Sequence, residues 1–138
     1  MTAASAEGRF GRQGGQELVE FAAVLPLLIL ILFGVLDLGR VFHAAVVVAN
    51  AAREGARYGT FYPDQAGDII GVVQAEAQGS GIDLSDPSTS GIAVNCLAGC
   101  DSGTPIQVTV TYRVALILGL VLPTPQVDIV RSVEMLIP

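Results

Sequence analysis

Between Phe21 and Leu36 the chain reads FAAVLPLLILILFGVL, 16 residues without one charged side chain. Nothing else restricts the fold as much, because a helix over this run is apolar on every face and must be covered by lipid or by other protein. At ~1.5 Å per residue it covers about 24 Å, slightly less than a ~30 Å hydrocarbon core. Leu18, Val19 and Leu38 extend it to a workable single span. The mean hydropathy of +0.60 and a charged fraction of only 14% agree with a chain that is partly hidden from water. Ahead of the run, Arg9, Arg12 and the amino terminus outweigh Glu7, which puts residues 1–15 in the cytoplasm and the remainder outside. A cleaved secretory signal also has a basic start and an apolar stretch, and Ala49-Asn50-Ala51 offers small residues to a peptidase. Against it stand Glu17 and Glu20, directly before the run, and the distance of Ala49 beyond the run's end.

Past Leu36 the helical pattern continues. Apart from Gly39 there is no breaker through the alanine-rich stretch 44–52, which predicts one helix from Gln16 to Tyr58, 43 residues or about 65 Å long. Asp37 with Arg40, and Glu54 with Arg57, have the i,i+3 spacing of pairs on a solvated helix surface. Ala44, Ala45, Ala49, Ala51, Ala52 and Ala56 permit close approach, either of like helices in a bundle or of a small domain laid along the helix.

Gly and Pro in Gly59–Asp64 end this helix, and Asp64 can cap a second one whose Ile69, Ile70, Val73 and Ala77 follow a 3.6-residue period up to Gly79-Ser80-Gly81. The segment 83–91 is a polar turn without the spacing of a calcium loop. Then the period becomes two. Ile92, Val94 and Cys96 alternate in one strand, and Ile106, Val108, Val110 and Tyr112 alternate in the next. The third strand, Gln126 to Ile137, turns Val127, Ile129, Arg131, Val133, Met135 and Ile137 one way, with Arg131 a polar misfit. Val114–Leu122 is nine apolar residues, too few to span a bilayer, and reads equally as a buried loop or short helix or as a contact with membrane or a partner. The fold class is therefore α+β. A long N-terminal transmembrane and assembly helix (16–59, spanning roughly 18–38 and then protruding) precedes a small extracytoplasmic domain (60–138) with one helix and a three-stranded antiparallel sheet.

Chemistry is sparse. Thirteen acidic against seven basic residues, all Arg, give a net charge of −6, the wrong sign for a nucleic-acid partner. Two cysteines cannot complete a four-ligand zinc site, and His43, the single imidazole, has no Ser or Cys near it in sequence and reads as a surface or helix-packing residue. No glycine pattern matches a phosphate loop. No catalytic residue, metal or cofactor is expected. In an extracytoplasmic domain, Cys96 and Cys100 around Leu97-Ala98-Gly99 are expected to form a structural disulfide, and their spacing is not that of a C-x-x-C redox pair. Odd for a simple anchor is Glu20, whose burial at the membrane edge is costly unless matched. A cut after Gly15 would create an amine at Gln16 one helical turn from Glu20, or free to meet Glu20 of a neighbouring helix.

Gly15-Gln16-Glu17-Leu18-Val19-Glu20-Phe21 with the following Ala-Ala-Val-Leu-Pro-Leu-Leu, then Gly34, Asp37-Leu38-Gly39-Arg40 and Ala51-Ala52-Arg53-Glu54-Gly55-Ala56-Arg57-Tyr58, resembles the TadE-like pseudopilins of tight-adherence (Tad) pili, in the type IV pilin-like superfamily. The likeness is specific over residues 14–59 and topological beyond. It implies that residues 1–15 are a cytoplasmic leader, removed by prepilin peptidase between Gly15 and Gln16. It implies further that Glu20, at mature position five beside Phe21, guides recruitment or assembly, and that Pro26 kinks the helix. Implied partners are the membrane, prepilin peptidase and other pilin-like subunits, including copies of itself in a filament. The implied location is the cytoplasmic membrane, single-pass with the head outside, or an extracellular pilus. The head is long for a major Tad pilin, leaving both a minor and a filament-building role open. The rival reading is an uncleaved single-pass protein with an extracytoplasmic binding domain.

Overall fold

The computed structural model describes residues 13–120, 123 and 125–138. Residues 1–12 of the expected leader, and Val121 and Leu122 of the apolar segment, lie outside the described residues. The elements run in the order α1 (Gln13–Phe61), α2 (Ala66–Gly79), β1 (Ser90–Cys96), β2 (Pro105–Ala115), a single 3-10 turn (Leu118–Leu120) and β3 (Gln126–Leu136). The chain is thus α+β, with the expected long apolar helix, second helix and three antiparallel strands. Helix α1 outruns its expected bounds by three residues at each end, an ordinary margin for helix termini.

Two compact units divide the chain, one ending at Leu36 and one running from Asp37 to Pro138. The first is helical throughout its described part, with Pro26 inside the helix. Its apolar side chains are bare: Leu18, Val19, Phe21 and Leu27 are among many more than half exposed. Among the described residues α1 is the one helix long and apolar enough to cross a membrane, with none of its most apolar stretch covered by protein. An all-round apolar helix in that condition finds its cover in lipid or in other chains.

The second unit has a core of its own. Ala44, Val48, Ala51, Ala52 and Ala56 form the buried face of the C-terminal half of α1, joined by Ile69, Val73 and Ala77 of α2 and by Ile106, Val108 and Val110 of β2. The small residues therefore receive the chain's own head. Glycines carry this furthest: a Cβ at Gly55 would collide with Val73, and one at Gly59 would lie 2.7 Å from Ile106 Cδ1. Helix α2 stops where its glycines require. Gly81 has φ +81°, and the Ile82 and Gly81 amides return to the Ala77 and Gln78 carbonyls, the Schellman arrangement that only glycine adopts without strain.

The start of α2 corrects one expectation. Its N-cap is Gln65, with no side-chain bond to the helix, so Asp64 does not cap it. The Gln65 amide bonds the Tyr62 carbonyl at 3.2 Å, which leaves Asp64 inside that turn, one residue too early. Asp68 supplies the negative charge favoured in a first turn.

Sheet order is β1-β2-β3, both pairs antiparallel. As the central strand β2 is covered best, and Ile106, Val108 and Val110 are fully buried where the inward residues of β1 and most of those of β3 are only half-buried. Arg131, paired with Val110, is tolerated on the inward side of β3 because this edge strand leaves it exposed to water. The opposite face is a polar ladder across β2 and β3, with Gln107 bonded to Glu134 at 2.7 Å, Thr109 to Ser132 at 2.9 Å and Arg113 to Asp128 at 2.7 Å.

Candidate functional site

The residues singled out at the start of the apolar helix all lie on α1. Gly15 is inside the helix with no atom near the position of a Cβ. One turn on, the Gln16 side-chain amide donates to Glu20 Oε1 at 3.3 Å, and both side chains are exposed. Phe21, 61% exposed, extends from the same helix into the surroundings. Helical spacing thus brings Gln16 and Glu20 together and leaves Phe21 free.

A second polar feature, in the head unit, departs from the surface pair that the i,i+3 spacing predicts. Asp37 does pair with Arg40, at 3.3 Å. It does not lie on a solvated face: it is 5% exposed, the buried polar residue of the core among those described. Its two carboxylate oxygens accept the backbone amides of Ile117 at 2.9 Å and Leu118 at 2.8 Å. Arg40 completes the clasp by donating to the Ala115 carbonyl at 3.1 Å. A buried carboxylate is tolerated when its lone pairs are filled and a cation is near, and this one meets both conditions. The described part of the apolar segment is thus part strand and part short helix, with Leu118–Leu120 in a 3-10 turn. Val114 and Ala115 complete β2, and Leu116–Leu120 turns back under the Asp37 clasp.

The other pair expected on the helix, Glu54 with Arg57, forms on the surface. The Arg57 side chain's hydrogen bond, with its charge, holds the Glu54 carboxyl below its ordinary range. His43 bonds the Ser80 carbonyl at 3.2 Å and so ties α1 to the end of α2.

Cys96 and Cys100 are joined in a disulfide, with Cα atoms 5.3 Å apart. The bond closes the Leu97–Gly99 turn, where Gly99 has φ +95°. Thr104 Oγ1 donates to the Gly99 carbonyl at 2.7 Å, while the neighbouring Gly103 amide bonds the Ile137 carbonyl at 2.8 Å, so the staple borders the chain's last strand. Cavities are shallow. One of about 310 Å³ lies over Ser88, Gly91, Arg113 and Asp128, and one of about 210 Å³ lies between Arg40, His43 and Tyr112. Among the described residues no three His, Cys, Asp or Glu side chains gather as metal ligands would.

No curated protein matches the chain, and no solved structure does. A family model described as TadE-like protein matches residues 15–57. That segment runs from the glycine before Gln16, through Glu20 and the clasping residues Asp37 and Arg40, to the Glu54–Arg57 pair. Over residues 15–57, about a third of its length, the chain is similar to the TadE-like family that its helix sequence resembles.

Proposed function

We infer that the chain is a pilin-like structural subunit, a pseudopilin, that acts in assembly of a Tad or type IV-like pilus or secretion filament. In this reading prepilin peptidase removes residues 1–15 as a leader and leaves Gln16 as the new terminus. Residues 18–38 then cross the cytoplasmic membrane with the N-terminus inside, and the head lies outside, where the Cys96–Cys100 disulfide persists. Glu20 directs recruitment among pilin-like subunits. The chain works by packing and turns over no substrate.

The observation that carries the reading is Glu20 itself, an exposed carboxylate at the start of a bare apolar helix, in the TadE-like segment, bonded among the described residues to the neutral Gln16 amide. Such a group calls for a positive partner when it leaves water, and the new α-amine of a matured subunit is one. The test is Glu20→Ala in the host, scored by recovery of the subunit with its assembly partners. The expected result is at least about a tenfold loss of recovery, the scale of one charge-assisted bond, with the head's melting unchanged. An undiminished yield contradicts the assembly role and favours the membrane-anchored binding protein.

A further inference from the structure

Leu116–Gly119 forms a small hook whose four consecutive backbone amides all find protein acceptors. Leu116 donates to the Pro125 carbonyl at 2.9 Å and Gly119 to the Leu116 carbonyl at 3.2 Å. Ile117 and Leu118 donate to Asp37. Gly119 lets the hook close this tightly, since a Cβ there would sit 2.6 Å from the Pro125 Cα. A loop facing water has no need of such closure, because water satisfies its amides, whereas a segment leaving water must satisfy them within the protein. The side chains match: Leu116 and Leu118 are half-buried, Ile117 is 44% exposed, and no charged residue occurs between Val114 and Pro125.

What holds the hook also sets its depth. Asp37 directly follows Leu36, the last residue of the uncharged run, so the hook is fastened to α1 at the residue where that run ends. On this part of α1 the head leaves Leu38 and Phe42 bare, at 70% and 71% exposure. We propose that Leu116, Ile117 and Leu118 form a membrane foot, seated in the boundary between headgroups and acyl chains of the bilayer that α1 crosses. The occupant of this apolar surface is lipid, because the hook is bonded to Asp37, the residue that follows the uncharged run in the chain, and the neighbouring Leu38 and Phe42 are bare. Arg40, with a half-exposed side chain, stands at the level of the lipid phosphates. Asp37 is compatible with that depth because two amides and Arg40 occupy its oxygens. The inference rests on the single-pass reading above and adds a second contact with lipid.

The chain contains no Trp, so one introduced indole reports on its own position. Ile117→Trp, Leu28→Trp and Val130→Trp, each in the full chain in nanodiscs, are read with lipids brominated near the headgroup or near the chain ends. For Ile117→Trp the expected result is blue-shifted emission, quenched more by shallow bromines than by deep ones. Leu28→Trp, in mid-span, should be quenched most by deep bromines, and Val130→Trp, on the exposed sheet face, by neither. An unquenched Ile117→Trp beside a quenched Leu28→Trp overturns the foot and leaves the span intact. An unquenched Leu28→Trp overturns the span as well. Because Ile117→Trp could disturb the hook, Ile117→Cys with a nitroxide label gives a second reading: oxygen should relax it more than a water-soluble nickel complex does, and the reverse order overturns the foot.

Discussion

A carboxylate at the end of an apolar run is tolerable only when its lone pairs are used, and Asp37 uses them on backbone 80 residues away. Removing the acceptor strands the Ile117 and Leu118 amides. Asp37→Ala should therefore lower the thermal midpoint of the head by about 5 °C or more, while Asp37→Asn, which keeps one acceptor oxygen, should lose less. Calorimetry of the full chain in detergent decides this, and equal midpoints would show that the clasp does not hold the hook. Asp83 and Asp86 illustrate the same chemistry in water. Each is held below the ordinary carboxylate value of 3.8, first by a hydroxyl and then by an amide, from Ser85 and Ser88 respectively. A depressed native value means that the stabilisation is complete above the unfolded value and is lost as pH falls through the native one. The Ser85 and Ser88 amide resonances should therefore shift with midpoints below the ordinary carboxylate value of 3.8; midpoints above it would contradict these bonds.

At the scale of elements, the glycines of α1 and α2 separate packing from propensity. Gly55→Ala gains helix propensity of ~1 kcal/mol but drives a methyl into the fully buried Val73, and overpacking of this kind costs about 1–3 kcal/mol. Gly71 faces open space, so Gly71→Ala should stabilise the head by ~0.5–1 kcal/mol. Denaturant titration of both variants should give opposite signs, and a stabilising Gly55→Ala would mean that α1 and α2 are less closely packed. Much of this level is readable in the sequence, because periodicity reports burial directly. The alternation of Ile106, Val108 and Val110 marks a strand with one buried face, and the small residues from Ala44 to Ala56 mark a closely approached face; the central place of that strand is visible only in the sheet order. Asp37 was not readable in the same way. Its local partner Arg40 accounts for it as a surface pair, and its distant partners are backbone amides, which no residue type advertises. Asp64 misled because one residue of turn separates it from the helix that it was expected to cap.

Across the whole molecule, one helix serves two environments. Its first part is apolar all round and uncovered; its second part supplies the alanine and glycine face on which the head is built. The TadE-like match covers residues 15–57 and so takes in both parts. On this account the fold is a carrier, and Gly15, Gln16 and Glu20 are what make it a pilin-like subunit. The most direct test is the intact mass and N-terminal sequence of the protein from its host's membranes, with and without active prepilin peptidase. The account predicts a chain that begins at Gln16 only when the peptidase is active. A chain that begins at Met1 in both strains, or near Ala51, would contradict it.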